Sequence, residues 1–145
     1  MPVDFEAGGS WWELLAAAGF DAKQRTVVAS TGVSMYLTKE TIVDTLRQIA
    51  TLAPASTLAM TFMLTMEMID PDERPQLQRV HSAARAAGTP FVSFFRPPEM
   101  LALAREAGFK ECRHVSTADL TRRYFSARTD GLAPARGEEF LVAST

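Results

Sequence analysis

The distribution of apolar residues divides the chain into alternating strands and helices. Residues 25–31 are apolar and β-branched without alternation, and residues 56–64 are nearly all apolar, as expected of strands covered on both faces. Between them, apolar positions recur every three or four residues on one face of a helix that begins at the cap Thr38 and ends before Pro54. Two strand–helix alternations in a row predict an α/β fold with a parallel sheet.

The rest of the chain carries start and stop signals for further elements. Ser10 and Ser116 are each followed three positions later by an acidic residue, a spacing typical of helix N-caps. Gly19 and Gly108 each follow a predicted helix, where glycine commonly ends it. The predicted elements are helices over residues 11–18, 71–87, 97–107 and 117–128, an extended segment over 91–95, and strands over 111–116 and 138–144.

Composition fits one soluble domain. The chain has 145 residues, 47% of them hydrophobic and 22% charged, with a formal net charge of −2. Its 15 basic residues are scattered among 17 acidic ones, so we expect no nucleic-acid partner. No leader and no apolar run of membrane-spanning length occurs in the sequence, so we expect no membrane partner. Cys112 is the only cysteine, which excludes an intramolecular disulfide and favours a cytoplasmic location.

The junction after the first strand is the strongest candidate for chemistry. Ligands of parallel sheets bind beyond the carboxyl ends of the strands, and Gly32 in the run Ser30-Thr31-Gly32 would let the backbone approach a ligand. The alternative is an ordinary turn whose hydroxyls satisfy the amides at the start of a helix. G-x-G-x-x-G, the P-loop and the G-x-S-x-G elbow are all absent from the sequence, so Ser34 is not predicted to be a nucleophile.

Other chemically capable residues have simpler structural interpretations. His81 and His114 have no carboxylate or cysteine at ligand spacing, so we expect structural roles and no metal site. Trp11 and Trp12 could line a pocket, but packing of a helix start on a sheet edge accounts for them equally well. A series of methionines is expected to fill the core beside a pocket; these are Met60, Met63, Met66 and Met68.

Three segments, in order and spacing, carry a family resemblance. Pro2-Val-Asp-Phe5, Trp12 with Gly19-Phe20-Asp21, and Ser30-Thr-Gly-Val-Ser-Met-Tyr-Leu-Thr38 resemble the leucine carboxyl methyltransferase-like branch of S-adenosylmethionine-dependent (class I) methyltransferases. In the second half, residues 88–94, 104–109 and 123–132 are similar to stretches of uncharacterised bacterial members. The resemblance extends over essentially the whole chain.

The resemblance implies a Rossmann-like sheet of seven strands. This chain would supply strands four to seven, the last antiparallel, with flanking helices. Residues 1–145 are therefore expected to form a single domain that corresponds to the C-terminal half of a class I methyltransferase. The glycine-rich cofactor motif of the N-terminal half is missing from the sequence, which predicts poor cofactor binding by the chain alone.

The resemblance also implies site residues for S-adenosylmethionine. Family contacts after the third strand fall on Asp4 and Phe5, and those after the fourth fall on Ser30 and Thr31. Thr31 stands where the family has a glutamate. Tyr36 matches a tyrosine facing the reaction centre and is the predicted catalytic residue.

The implied reaction is methyl transfer to an oxygen of a small molecule, a carboxylate being one candidate. This in-line displacement depends on positioning and desolvation, so it needs neither a metal nor a His–Asp pair. A second hypothesis is a non-catalytic interaction module that pairs through an exposed sheet edge, either as a homodimer or with a missing N-terminal half. An unrelated α/β ligand-binding domain is the third.

Overall fold

The protein forms an open sheet of four strands with helices packed against it. The computed structural model describes residues 4–6 and 11–145. The strands are β1 (Val27–Ser30), β2 (Thr57–Met63), β3 (Glu111–Val115) and β4 (Glu138–Ser144). The α-helices are α1 (Trp11–Ala17), α2 (Lys39–Ala50), α3 (Arg74–Ala86), α4 (Pro97–Ala107) and α5 (Thr117–Leu120). Short 3₁₀ turns cover Ser34–Tyr36 and Met66–Met68, and a π-helical turn covers Thr121–Phe125.

Strand order is β1-β2-β4-β3, so the last strand lies inside the sheet. β1 and β2 are parallel, while β4 runs antiparallel to both β2 and β3. The long β2–β4 pairing runs from Thr57 opposite Ser144 to Met63 opposite Glu138. The predicted α/β class, the parallel pair and the antiparallel last strand are confirmed.

The core lies between one face of the sheet and the helices α2 and α4. Alternate residues of a strand share a face, and on this face Leu58, Met60 and Phe62 of β2 are almost completely buried. The helices contribute the apolar stripes predicted from the sequence, namely Ile42, Leu46 and Ile49 from α2 and Met100 and Ala104 from α4. Burial of this stripe is what holds α2 in place, because each of its three side chains is at most 2% exposed.

Strand β1 differs from its prediction. We expected a strand over residues 25–31 that is covered on both faces, but β1 is shorter and none of its four residues is buried. Within the described residues it pairs only with β2, which makes it an edge strand. Val27 is consequently 78% exposed.

Helix boundaries mostly follow the capping signals. Thr38 caps α2 by accepting from the amide of Thr41, and Gly108 ends α4 with φ of 113°. The helix predicted over residues 71–87 instead begins at Arg74, because the carboxylate of Asp70 accepts from the amide of Asp72 and holds the preceding residues in turns. The helix predicted to reach residue 128 is also shorter: α5 ends at Leu120 and a π-helical turn follows.

Two further observations complete the fold. The predicted cap Ser10 lies outside the described residues, although α1 itself is confirmed. Among the helices of residues 4–6 and 11–145, none has the length and apolar character needed to cross a bilayer.

Candidate functional site

The turn after β1 is held by the neighbouring strand. The amide of Gly32 donates to the Thr61 hydroxyl at 2.8 Å, and the Ser34 hydroxyl donates to the Thr61 carbonyl at 2.7 Å. Thr61 is 3% exposed; its bond with Ser34 is buried, and its bond with Gly32 is partly buried. The Ser34 hydroxyl thus bonds β2 and not an amide at the start of a helix.

A cavity opens at this turn, and we call it the turn cavity. Thr31, Gly32, Thr61 and Glu138 contribute to its lining, and its volume is about 510 Å³. Gly32 has φ of 69° and nothing within 4 Å of the position where a Cβ would stand, so its backbone is open to a ligand. The hydroxyls of Ser30 and Thr31 make no hydrogen bond to any described residue.

A second cavity, the apolar pocket, has a volume of about 400 Å³. Its apolar walls comprise Met35, Met63, Ile69, Leu77, Val80 and Phe91. Its polar groups include Glu73 and Arg136, which form an ion pair, and Glu138. Pro134, Ala135 and Glu138 line both cavities, so the apolar pocket and the turn cavity are neighbours.

The contacts of Asp4 and Phe5 are with residues other than Ser30 and Thr31. Asp4 accepts from the amide of Glu6 at 3.0 Å, and the Phe5 ring lies 5.8 Å from that of Trp11. Among the described residues, neither Asp4 nor Phe5 makes a hydrogen bond or ring contact with Ser30 or Thr31. The structure therefore does not join the four predicted cofactor residues into one contacting cluster, and their role stays a prediction.

Glu6 fixes this short N-terminal segment to the start of α2. Its carboxylate accepts from the amide of Thr38 at 2.7 Å and lies 3.2 Å from the Thr38 hydroxyl. This contact was not predicted from the sequence. It places residues 4–6 beside the helix that follows the turn.

Tyr36 lies outside both cavity linings but contacts one wall of the apolar pocket. Its ring is 5.3 Å from that of Phe91, edge to face, and the residue is 45% exposed. Its predicted catalytic role stays a prediction.

His81 contacts Phe91 as well, together with Phe94. Its ring lies 5.2 Å from the rings of both Phe91 and Phe94. Burial lowers the pKa of His81, because the apolar surroundings disfavour the charged imidazolium. Its Nε2 atom is buried without a hydrogen-bond partner in the structure. These contacts fit the predicted structural role.

His114 has a carboxylate partner that the sequence did not reveal. Its Nε2 lies 2.5 Å from Oε2 of Glu139, which is 8% exposed, and Oε1 of Glu139 accepts from the amide of Thr117 at 2.9 Å. Glu139 lies 25 residues away in the sequence, so spacing along the chain did not indicate this pair. The pair ties β3, β4 and the start of α5 together.

Asp119 and Cys112 are perturbed by their surroundings. The hydroxyl and amide of Ser116, and then Arg122, lower the pKa of Asp119 to about 2. Burial raises the pKa of the Cys112 thiol, opposed by the nearby charge of Arg105. Neither residue lines the turn cavity or the apolar pocket.

The remaining candidates divide between core and surface. Met60 and Met63 are buried as predicted, while Met68 is exposed. The rings of Trp11 and Trp12 meet edge to face with centroids 4.9 Å apart, and neither residue lines the turn cavity or the apolar pocket. Within the described ranges no three histidine, cysteine or acidic side chains are grouped as a metal site would need.

The sheet order and the antiparallel β4 define the fold, and a cavity lies at the carboxyl ends of β1 and β2. This is the architecture of a Rossmann-like methyltransferase sheet. The family model for leucine carboxyl methyltransferase matches residues 1–50, so the resemblance predicted from the sequence is confirmed over that segment. The segment contains all five predicted site residues. No curated protein matches the chain.

Solved structures share the fold at low sequence identity. A possible exported protein from Bordetella parapertussis is 20% identical with a TM-score of 0.53, and the match covers 98% of this chain and 51% of that one. A DUF574 family protein from Streptomyces avermitilis is 16% identical with a TM-score of 0.60, over 100% and 54% of the two chains. Human N-acetylserotonin methyltransferase, solved with S-adenosylmethionine, is 16% identical with a TM-score of 0.52, over 87% and 32%. The chain thus spans about half the length of the first two structures.

Proposed function

We propose that this chain is part of an S-adenosylmethionine-dependent methyltransferase that acts on an oxygen of a small molecule. The observation that carries the proposal is the open turn at Gly32, which lines a cavity next to a separate apolar pocket at the carboxyl ends of two parallel strands. A methyltransferase needs two adjoining sites of this kind, one for the cofactor and one for the acceptor. The family match over residues 1–50 includes the turn and supports the assignment.

The residues at the turn fit part of the cofactor. The hydroxyls of Ser30 and Thr31, which make no hydrogen bond to a described residue, and the open backbone at Gly32 suit the polar nucleoside and amino-acid groups. Asp4 and Phe5 would contact the adenine, by analogy with the family. Bound S-adenosylmethionine supplies an electrophilic methyl group, while the chain's own residues hold the acceptor and exclude water. In this arrangement Tyr36 would orient the acceptor or face the sulfonium.

Binding by the chain alone is proposed to be weak. No glycine-rich G-x-G-x-x-G turn occurs in the sequence, and the chain spans about half of the related structures. The described residues would then contact only one side of the cofactor. A reducing, cytoplasmic setting is the one we propose for this reaction.

Titration with S-adenosylmethionine, followed by NMR on the 145-residue chain, tests the function. We expect millimolar cofactor to shift the amides of Thr31 and Gly32, and Thr31→Val to reduce those shifts. Thr57→Val, on the same sheet but away from both cavities, is the matched control and should leave them unchanged. Absence of any shift at the turn would refute the proposal. Micromolar affinity by calorimetry would refute the statement that the chain alone binds weakly.

A second candidate function rests on the exposed edge of β1. Val27 is 78% exposed and β1 pairs only with β2 among the described residues, so a further strand could add to this edge. If the chain acts by such pairing, sedimentation should find a dimer that Val27→Lys dissociates. Val92→Lys, at another exposed valine, is the control and should leave the dimer intact. A monomer of the unmodified chain at high concentration would exclude this candidate as a homodimer.

A further inference from the structure

We propose that the apolar pocket selects acceptors that carry a hydrogen-bond donor, a hydroxyl or an ammonium group, and rejects carboxylates, with Glu138 as the selecting residue. The inference rests on the proposed function, because it takes the apolar pocket as the acceptor site. It goes beyond that function by assigning a chemical class to the acceptor.

The charges of the pocket carry the argument. Arg136 is the one cationic side chain of the lining, and it is already paired with Glu73. An acceptor carboxylate would therefore find no free cation there, unless it first broke this pair. Among the described residues, no hydrogen bond or ion pair to the Glu138 carboxylate is present, and the lining holds two acidic side chains, Glu73 and Glu138, against one basic side chain, Arg136.

The position of Glu138 suits it to this selection. It is the first residue of β4, and its backbone is fixed opposite Met63 of β2. It lines both the apolar pocket and the turn cavity, so a group bound to its carboxylate would stand between the two sites. The apolar walls weaken competition from water, which strengthens a hydrogen bond donated to a carboxylate.

Size and polarity of the walls complete the description of the ligand. A volume of about 400 Å³ lies at the small end of ligand pockets. Six large apolar side chains surround it, among them Phe91 and Met63, so the body of the acceptor should be apolar and compact. We infer an apolar alcohol or phenol of one or two rings, either with or without a separate ammonium group.

Three naphthalene probes of matched size test the selection without the cofactor: 1-naphthylmethanol, 1-naphthylmethylamine and 1-naphthoate. NMR titration of the full chain should show shifts at the pocket residues Met63 and Val80 with the alcohol and the amine. We expect naphthoate to bind at least about tenfold more weakly, because its charge would face that of Glu138. Equal binding of all three probes, or no binding at the pocket, overturns the proposal.

Variants separate Glu138 from general effects. Glu138→Gln should remove the preference for the amine and improve naphthoate binding about fivefold or more, whereas Glu106→Gln on the exposed side of α4 should change neither. Arg136→Gln releases the Glu73 carboxylate and should strengthen the preference for the amine. This second variant tests the proposal if Glu138→Gln folds poorly. Unchanged probe ratios in both pocket variants would contradict the role of Glu138. The probe titrations need no S-adenosylmethionine. A negative result in them would contradict the role of Glu138, whereas a negative result in the cofactor titration at Gly32 would contradict the proposed function.

Discussion

The hydroxyl of Thr61 is the simplest point at which to perturb the turn cavity. Thr61→Val keeps the shape of the side chain and removes only the acceptor of the Gly32 amide, which lies 2.8 Å away. Thr61 is 3% exposed, but Gly32 lines the turn cavity, so water replaces the lost oxygen only in part. The amide of Gly32 would then be left without its partner.

The expected magnitude follows from that unsatisfied donor. Leaving a partly buried amide unpaired costs about 1–2 kcal/mol, and the added methyl group recovers part of this through apolar contacts. For a chain of this size, a loss of about 1 kcal/mol lowers the melting temperature by roughly 2–4 °C. The Ser34 hydroxyl bonds the backbone carbonyl of residue 61, so its contact remains in the variant.

Two measurements check this prediction. Urea unfolding should show the loss of stability, and hydrogen exchange at the Gly32 amide should accelerate more than exchange at amides in the middle of β2. Thr57→Val is the matched control, because Thr57 lies on the same face of β2 and its hydroxyl makes no hydrogen bond to a described residue. If Thr61→Val and Thr57→Val have the same stability and the same exchange at Gly32, the turn is not held by β2 as described.

Three further positions, two side chains and one glycine, give independent predictions. The lowered pKa of His81 means that the folded chain binds fewer protons there than the unfolded chain. The contribution of His81 to stability is therefore complete above pH 6.5 and decreases below it. Urea unfolding measured across pH should show a smaller decrease in His81→Leu. The raised pKa of Cys112 predicts slower reaction with a disulfide reagent at pH 8 than free cysteine shows, and equal rates would contradict its burial. Gly108→Ala should lower the free energy of unfolding in urea by roughly 1–2 kcal/mol, because φ of residue 108 is 113°. A steric clash does not contribute, since the nearest atom to the added carbon, Cβ of Ala50, is 3.6 Å away. An unchanged midpoint in that variant would show that the helix end relaxes.

Regular elements with strong periodicity were predictable from the sequence. The apolar stripe and Thr38 cap located α2, and β4 was predicted over the same residues that it occupies. Both predictions succeed because the information is local: a periodic face, a cap and a glycine or proline at the end.

The position of β1 at the edge of the described sheet was not predictable from local sequence. An unbroken apolar run shows that a strand is suited to burial, but it does not show what lies alongside it. In the structure β1 is an edge strand, and Val27 is the most exposed large apolar side chain among those described. That property depends on the pairing of whole strands.

The site residues missed by sequence reasoning share one signal. Thr61 lies inside an apolar stretch of β2, and Glu139 alternates with Leu141 and Ala143 at the buried positions of β4; both polar residues are buried and hydrogen bonded in the structure. A polar residue at a core position requires a partner, so both positions could have been marked as anchors. Their partners Gly32 and His114 could not be identified, because they lie 29 and 25 residues away and depend on strand register.

The placement of β4 between β2 and β3 has a consequence for the order in which the chain is made. During synthesis β2 and β3 leave the ribosome before the strand that joins them, so neither can complete its pairing until residues 138–144 emerge. Until then Phe62 and its neighbours on β2 lack the strand that packs beside them. A nascent chain in which β2 and β3 have formed before β4 therefore exposes strand edges that β4 covers in the folded protein, and these edges favour pairing with other chains until β4 is made.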